Sequence, residues 1–277
     1  MSAPFRIVGI LNVTPDSFSD GGRFLEHGAA VAHGRELVAE GADILDVGGE
    51  STRPGADPVG MEEEQRRVVP VLEDLAGAGA QLSVDTSKVA VARAALDAGA
   101  SYVNDVTAFR SEPAMAALVA ERGADCCLMH MRGEPRTMQD DPRYDDVVSE
   151  VKAFLEERLT FAVREGVAEE RINLDPGIGF GKTVEHNLEL MRRLDEIAAL
   201  GRPVMIGVSR KAFLGRITGR PVEDRVAATV AASVLAWQRG AAMLRVHDVA
   251  AVRDGLAVAG ATVGPPWART TPTSSTS

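Results

Sequence analysis

The sequence predicts an α/β chain folded as one closed (β/α)8 barrel of the TIM type. Three observations carry that expectation: eight short apolar runs recur along the chain, a helical pattern follows each of them, and no break in composition divides the 277 residues into two domains. Strict alternation of strand and helix makes neighbouring strands parallel, and eight such units in one domain of this length close on themselves. The barrel domain is expected over residues 1–264. With 45% apolar residues a large core can form, but aromatics are only 4%. Its bulk must therefore come from Ala, Val, Leu and Ile.

The first run, Arg6-Ile-Val-Gly-Ile-Leu-Asn-Val13, carries Asn12 near its end and opens the loop Thr14 to Gly22, where Pro15 and the Gly21-Gly22 pair suggest a mobile flap. A helical pattern covers about 29–40. Ile44-Leu-Asp-Val-Gly-Gly49 leads into the polar loop Glu50-Ser-Thr-Arg-Pro-Gly55 and a helix over about 61–76. Leu82-Ser-Val-Asp-Thr86 presents Asp85 before a helix over about 88–98. Tyr102-Val-Asn-Asp-Val106 presents Asn104, with a short helix over about 113–122. Cys126 to His130 ends in the histidine and opens a longer loop through Met138, followed by the longest helix, about 144–165.

The sixth unit is the most telling. In Ile172-Asn-Leu-Asp-Pro-Gly-Ile-Gly-Phe-Gly-Lys182 a short apolar run with a β-branched start ends in Asp175, and Pro-Gly stops the strand. Glycines beside a carboxylate let a ligand approach the backbone closely. A helix is expected over about 184–200. Pro203-Val-Met-Ile-Gly-Val-Ser209 passes into Ser209-Arg-Lys211, an Ala-rich helix over about 223–238 is apolar over most of its surface, and Met243-Leu-Arg-Val-His-Asp248 closes the series with Arg245 and His247. An apolar helix of that kind is expected to bury itself against a partner subunit as well as the barrel. The tail 265–277 is polar, low in complexity and expected to be disordered.

A formal charge of -10 argues against a nucleic-acid or membrane surface, which needs a basic face. Cys126 and Cys127 are the only cysteines and sit side by side in an apolar run, which suits neither a disulfide framework nor a zinc site. A reducing cytoplasm is expected, and no stretch has the length or flanks of a signal peptide or transmembrane helix.

In such a barrel the C-terminal strand ends share one mouth, which here would collect Asn12, Asp46, Asp85, Asn104, His130, Asp175, Lys211, Arg245 and His247. Singly, each has an ordinary structural explanation, such as a turn cap, a satisfied core histidine or a solvated helix start. Jointly they divide into two chemistries. Asp85, Asn104 and Asp175 suit the donor edge of a flat, nitrogen-rich heterocycle, with Lys211 adding a donor to a ring carbonyl or nitrogen. Arg53, Arg245 and His247, flanking Asn12 and Ser51, suit a phosphate or diphosphate, and an Asn carbonyl with phosphate oxygens suits magnesium. No Ser-His-Asp arrangement, Walker sequence or dinucleotide fingerprint occurs, and no nucleophile stands out. A dissociative transfer with a good leaving group is the expected chemistry.

Eight stretches together carry a resemblance. Gly9 to Gly22, Asp46-Val-Gly-Gly-Glu-Ser-Thr-Arg-Pro-Gly55, Asp85-Thr-Ser, Asn104-Asp-Val-Thr-Ala108, Met129-His-Met-Arg-Gly133, Asp175 to Lys182, Ser209-Arg-Lys211 and Arg245-Val-His-Asp248 resemble, in order, the dihydropteroate synthase family, the sulfonamide targets of folate synthesis. The resemblance runs from about 7 to 249. It implies condensation of 6-hydroxymethyl-7,8-dihydropterin diphosphate with 4-aminobenzoate, with magnesium as cofactor and a homodimer as assembly. By the same resemblance, Asp85, Asn104, Asp175 and Lys211 would hold the pterin, and Asn12, Arg53, Arg245 and His247 the diphosphate with the metal at Asn12. Thr52, Pro54, Phe180, Ser209 and Lys211 would surround the aminobenzoate, while Asp20 would help to close the site; Asp85, Lys211, Arg245 and Asp20 form the implied catalytic set. A corrinoid-linked pterin methyltransferase module shares the barrel and the pterin pocket, but has no use for Ser209-Arg-Lys211 together with Arg245-Val-His247. A catalytically idle paralogue remains as a binding-protein alternative.

Overall fold

The structure is a computed structural model that describes residues 5–14, 23–51, 56–134 and 136–263, with 23–26 described by backbone only. Asp20, Thr52, Arg53, Pro54, most of the expected flap and the tail 265–277 lie outside the described residues. Eight parallel strands close into a barrel in chain order: β1 (Arg6–Asn12), β2 (Ile44–Gly48), β3 (Gln81–Asp85), β4 (Tyr102–Asp105), β5 (Asp125–Met129), β6 (Ile172–Asp175), β7 (Val204–Ile206) and β8 (Ala241–Val246). Among the described residues ten α-helices surround them: α1 (Arg23–Ala39), α2 (Met61–Leu75), α3 (Val89–Asp97), α4 (Ala114–Arg122), α5 (Val147–Arg164), α6 (Val184–Arg192), α7 (Leu194–Ala198), α8 (Ala212–Thr218), α9 (Val226–Gln238) and α10 (Val249–Val263).

Alternation along each strand separates two apolar regions. Leu45, Val47, Val84, Val103, Cys126, Leu128, Leu174 and Leu244 point outward into the main core under the helices. Val8, Ile44, Tyr102, Cys127, Met205 and Met243 form a smaller cluster inside the barrel. The adjacent cysteines thus face opposite sides of the sheet, both buried and unpaired. Inward positions grow polar toward the strand ends: Ile44 gives way to Asp46, Tyr102 to Asn104 and Met243 to Arg245. The register aligns this polar layer, pairing Asn12 with Gly48, Gly48 with Asp85, Asp85 with Asn104, and Met129 with Asp175.

Several helices depart from expectation. The single helix foreseen over 184–200 is two, because Arg193 leaves helical geometry at φ -113° and ψ 28°. Its guanidinium binds Glu196 and Asp146, the N-cap of α5. The break escaped notice because Leu190, Leu194 and Ile197 keep a helical spacing toward the core across it. α8 was not foreseen at all. Only seven residues long, it ends at Gly219 and contains Gly215, where the Arg225 side chain crosses so closely that a Cβ would collide with its guanidinium. α1 begins at Arg23 rather than about residue 29, since Gly28 within it weakens the pattern, and α9 begins at Val226 after a short 3-10 turn.

Trp237, fully buried at the end of α9, meets the Phe5 ring edge-on at 6.5 Å between centroids and so ties the last third of the chain to its start. Ile217, Leu235 and Val258, on α8, α9 and α10, are large apolar side chains left exposed. Trp237→Ala is expected to cost about 3–5 kcal/mol of unfolding free energy, the usual range for deleting a buried aromatic. Urea denaturation followed by far-ultraviolet circular dichroism measures it, and a loss below 1 kcal/mol on the same rough scale contradicts this packing role.

Candidate active site

The hub of the barrel mouth is Arg245. From β8 its Nε donates to Asp46 Oδ2 at 2.6 Å and its Nη2 to Asp85 Oδ2 at 2.8 Å. Asp46 is fully enclosed and also accepts from Ser83 Oγ at 2.5 Å and Asn104 Nδ2 at 2.9 Å. Four strands are thereby cross-linked through one carboxylate. An ion pair this buried is tolerable only when its hydrogen bonds are filled, which Ser83 and Asn104 accomplish. Burial pushes the Asp85 carboxyl up to about 7 although Arg245 pulls it down, and the negative charges of Asp46, Glu64 and Asp105 push with burial.

On the opposite wall Asp175 accepts the Gly177 N–H at 2.7 Å. Burial raises its pKa, opposed mainly by the nearby Lys211 ammonium. Lys211 follows β7, donates to the Ile178 carbonyl and lies 4.7 Å from the centre of the Phe180 ring. Burial lowers its pKa to about 8, with Asp175 opposing that shift and Arg245 adding to it. Two glycines at strand ends lie in ordinary contact range of these groups. A Cβ on Gly207 would sit 3.7 Å from Lys211 Nζ and 4.0 Å from Arg245 Cβ, and one on Gly48 would sit 3.5 Å from Asp85 Cβ and 3.9 Å from Asn12 Oδ1. The expected residues Asn12, Asp85, Asn104, Asp175, Lys211 and Arg245 therefore surround one hollow.

The two motifs of the closing strands interlock. Arg210 takes a left-handed φ of 55°, with its N–H on Thr229 Oγ1 at 3.0 Å and its guanidinium on Asp248. That kink turns Ser209 and Lys211 inward on either side of it. Ser209 Oγ lies 2.9 Å from His247 Nδ1 and accepts the His247 N–H at 3.2 Å, which places both beside the mouth as expected. Val106, Met129, Met131 and Met138 form an apolar patch against the partly buried Phe180.

Two groups take roles that the local sequence does not mark. Asp46 had been counted at the mouth but given no role; it lies mid-strand, one layer below the strand ends, where nothing in the local sequence marks it as a hub. Lys88 stands where the sequence predicts the start of the third helix. It bridges Glu50, at 2.7 Å, and Glu64, a completely buried carboxylate on α2. Glu50 in turn accepts the Val59 N–H at 2.7 Å. A surface hollow of about 620 Å³ along α5, near Glu157 and Phe161, draws on a single helix and gathers no comparable set of groups. Among the described residues no cluster of three or more His, Cys, Asp or Glu could hold a metal ion.

The glycine-rich turn admits little change. At φ 67°, a Cβ on Gly177 would fall 1.9 Å from the His130 carbonyl oxygen, a severe overlap. Gly177→Ala is expected to cost roughly 1–3 kcal/mol or more through backbone strain alone and to displace Asp175. A variant as thermally stable as wild type in calorimetry contradicts this reading of the turn.

The chain matches the pterin binding enzyme family over residues 8–247. It is 49% identical to the dihydropteroate synthase of Mycobacterium leprae over 266 residues, covering 94% of each chain. Among solved structures it is similar to Xanthomonas albilineans dihydropteroate synthase with 4-aminobenzoic acid, at a TM-score of 0.88 and 51% identity over 97% of this chain and 94% of the other. The same enzyme in complex with 7,8-dihydropteroate gives a TM-score of 0.85 at 48% identity, over 97% and 95% of the two chains. Full-length matches of this kind set aside the methyltransferase alternative. With its barrel, polar mouth and motif order all in agreement, the chain belongs to the dihydropteroate synthase family of pterin-binding enzymes.

Proposed function

We propose that this chain joins 6-hydroxymethyl-7,8-dihydropterin diphosphate to 4-aminobenzoate, releasing 7,8-dihydropteroate and diphosphate. One observation carries the reading most directly: a single hollow sets the carboxylate and amide groups of Asp85, Asn104 and Asp175 beside the cations of Arg245 and Lys211. In the proposed step the bond from the pterin methylene to the diphosphate oxygen breaks first, and its electron pair leaves with the diphosphate. The positive charge spreads into the ring, where Asp85 and Asp175 favour it. The arylamine nitrogen then forms the new carbon–nitrogen bond and loses a proton. Lys211 donates to the ring, while Arg245, with His247 and Arg53, receives the leaving group. The family resemblance assigns Phe180 and Ser209, with Thr52 and Pro54, to the aminobenzoate, and gives Asp20 a part in ordering the site.

Magnesium fits this arrangement as an ion carried largely by the diphosphate. Asn12, partly buried at the end of β1, offers one amide oxygen, and a small hard cation keeps substrate oxygens and waters for its other positions. Bound there it would neutralise charge on the leaving group. We place the enzyme in the cytoplasm and assign it a homodimer through the α8–α10 side, where Ile217, Leu235 and Val258 are exposed. No helix among the described residues is long and apolar enough to cross a membrane.

Diphosphate release with magnesium, the pterin diphosphate and 4-aminobenzoate, omitting each in turn, tests the reaction. Product with both substrates supports it; none from folded protein favours the idle paralogue. Lys211→Ala is expected to lower kcat/KM by roughly a hundredfold while leaving the fold intact, as losing a single preorganised donor does. The pH profile has a definite sign. Asp85 takes up its proton below about 7 and Lys211 loses its proton above about 8, so kcat/KM should peak between them. Lys211→Met should remove the alkaline limb, and an unchanged limb in that variant rejects the assignment. Light scattering at micromolar concentration addresses the dimer, which a monomeric mass contradicts.

A further inference from the structure

Lys182 and His130 have no part in the reaction above, yet both are buried within the same wall, at 3% and 4% exposure. Lys182 Nζ lies 2.9 Å from His130 Nδ1 and donates to the Phe180 carbonyl at 3.0 Å. The His130 ring packs edge-on against Phe154 at 4.9 Å, and Tyr144, beside it, donates to the Gly181 carbonyl at 2.9 Å. Gly177 and Gly181 run so close to the carbonyls of His130 and Arg132 that a Cβ on either would collide. The turn from Asp175 to Lys182 is thus pressed onto the end of β5, with Lys182 as its stitch.

We infer that Lys182, donating to the neutral imidazole of His130, forms a buried pair that positions Phe180, the wall proposed above to face 4-aminobenzoate. The inference rests on that functional reading for its substrate. Hydrogen-bond geometry supports the pairing: Lys182 Nζ reaches His130 Nδ1 at 2.9 Å, the Phe180 carbonyl at 3.0 Å and the His130 carbonyl at 3.5 Å, so the imidazole nitrogen that faces it is an acceptor and the ring is neutral. The charges around the pair agree. Beyond burial itself, His130 faces Lys182 from the β6–α6 turn, Arg132 from its own loop and Arg110 from the loop after β4, all cationic, and its pKa falls to about 2. Lys182 faces Lys211 and Arg132, with Asp175 the opposing carboxylate, and burial takes its pKa well down. The histidine accepts at Nδ1 and so carries its proton on Nε2. Lys211, meanwhile, grips Ile178 and faces the Phe180 ring from the other side. Two lysines thus flank one turn from opposite sides.

A positioning role predicts a divided kinetic effect. Lys182→Met leaves the Phe180 carbonyl and His130 Nδ1 buried without their donor, so KM for 4-aminobenzoate should rise about tenfold, as expected for one buried hydrogen bond lost, with a much smaller change in KM for the pterin diphosphate. Equal changes in the two KM values, or none, overturn the positioning claim. Nitrogen NMR of the wild-type imidazoles, assigned with His130→Gln, reads the pair independently of catalysis and of how the variant folds. His130 should show an unprotonated Nδ1 and no titration across the neutral range, and a titration there overturns its pairing as acceptor to Lys182. Absence of any turnover by wild type with 4-aminobenzoate would instead reject the functional reading, while the NMR result would still decide the state of the pair.

Discussion

The bridge from Arg245 to Asp46 and Asp85 is the constraint on which the mouth of the barrel depends. Removing a carboxylate from water is costly, and two of them beside each other would repel; the guanidinium resolves both problems only by standing between them. Ser83 and Asn104 satisfy the remaining lone pairs of Asp46, so β2, β3, β4 and β8 share one electrostatic fastening. Its second carboxylate, Asp85, is left near neutrality in pKa, where a modest change of surroundings alters its charge. Stability and reactivity are set by the same three residues.

Environment, more than residue type, divides the labour at this mouth. Lys211 and Lys182 lie on either side of the glycine-rich turn, but Lys211 has Asp175 and Arg245 for neighbours while Lys182 has an imidazole and carbonyl oxygens. Asp46 and Asp85 differ likewise. One is saturated with hydrogen bonds below the mouth, and the other stands at its edge.

Much of this was legible in the sequence because the strands are short and their inward and outward faces differ in chemistry. Asp85, Asn104 and Asp175 could be placed at strand ends because a breaker or helix start follows each of them. Asp175 caps its own turn, one oxygen taking the Gly177 N–H, in a wall that also contains Lys211. Sequence periodicity could not expose the break at Arg193, since the core-facing leucines continue through it, nor the short α8, whose glycines read as loop. The hub role of Asp46 was equally hidden. It depends on Arg245, 199 residues distant along the chain, and no local pattern records a partner that far away. Nor could it have shown that Arg245, foreseen as an anion ligand, already has two of its donors on carboxylates.

The paired cysteines of β5 carry a consequence of their own. Cys126 faces the helices and Cys127 the barrel interior, both fully enclosed, and burial holds each thiol far above its ordinary pKa. Thiolate is the reactive species, so a sulfhydryl reagent meets almost nothing to attack while the staves remain closed. The rate at which such a reagent labels this chain is therefore a clock for the opening of the barrel, supplied by the protein without any added probe.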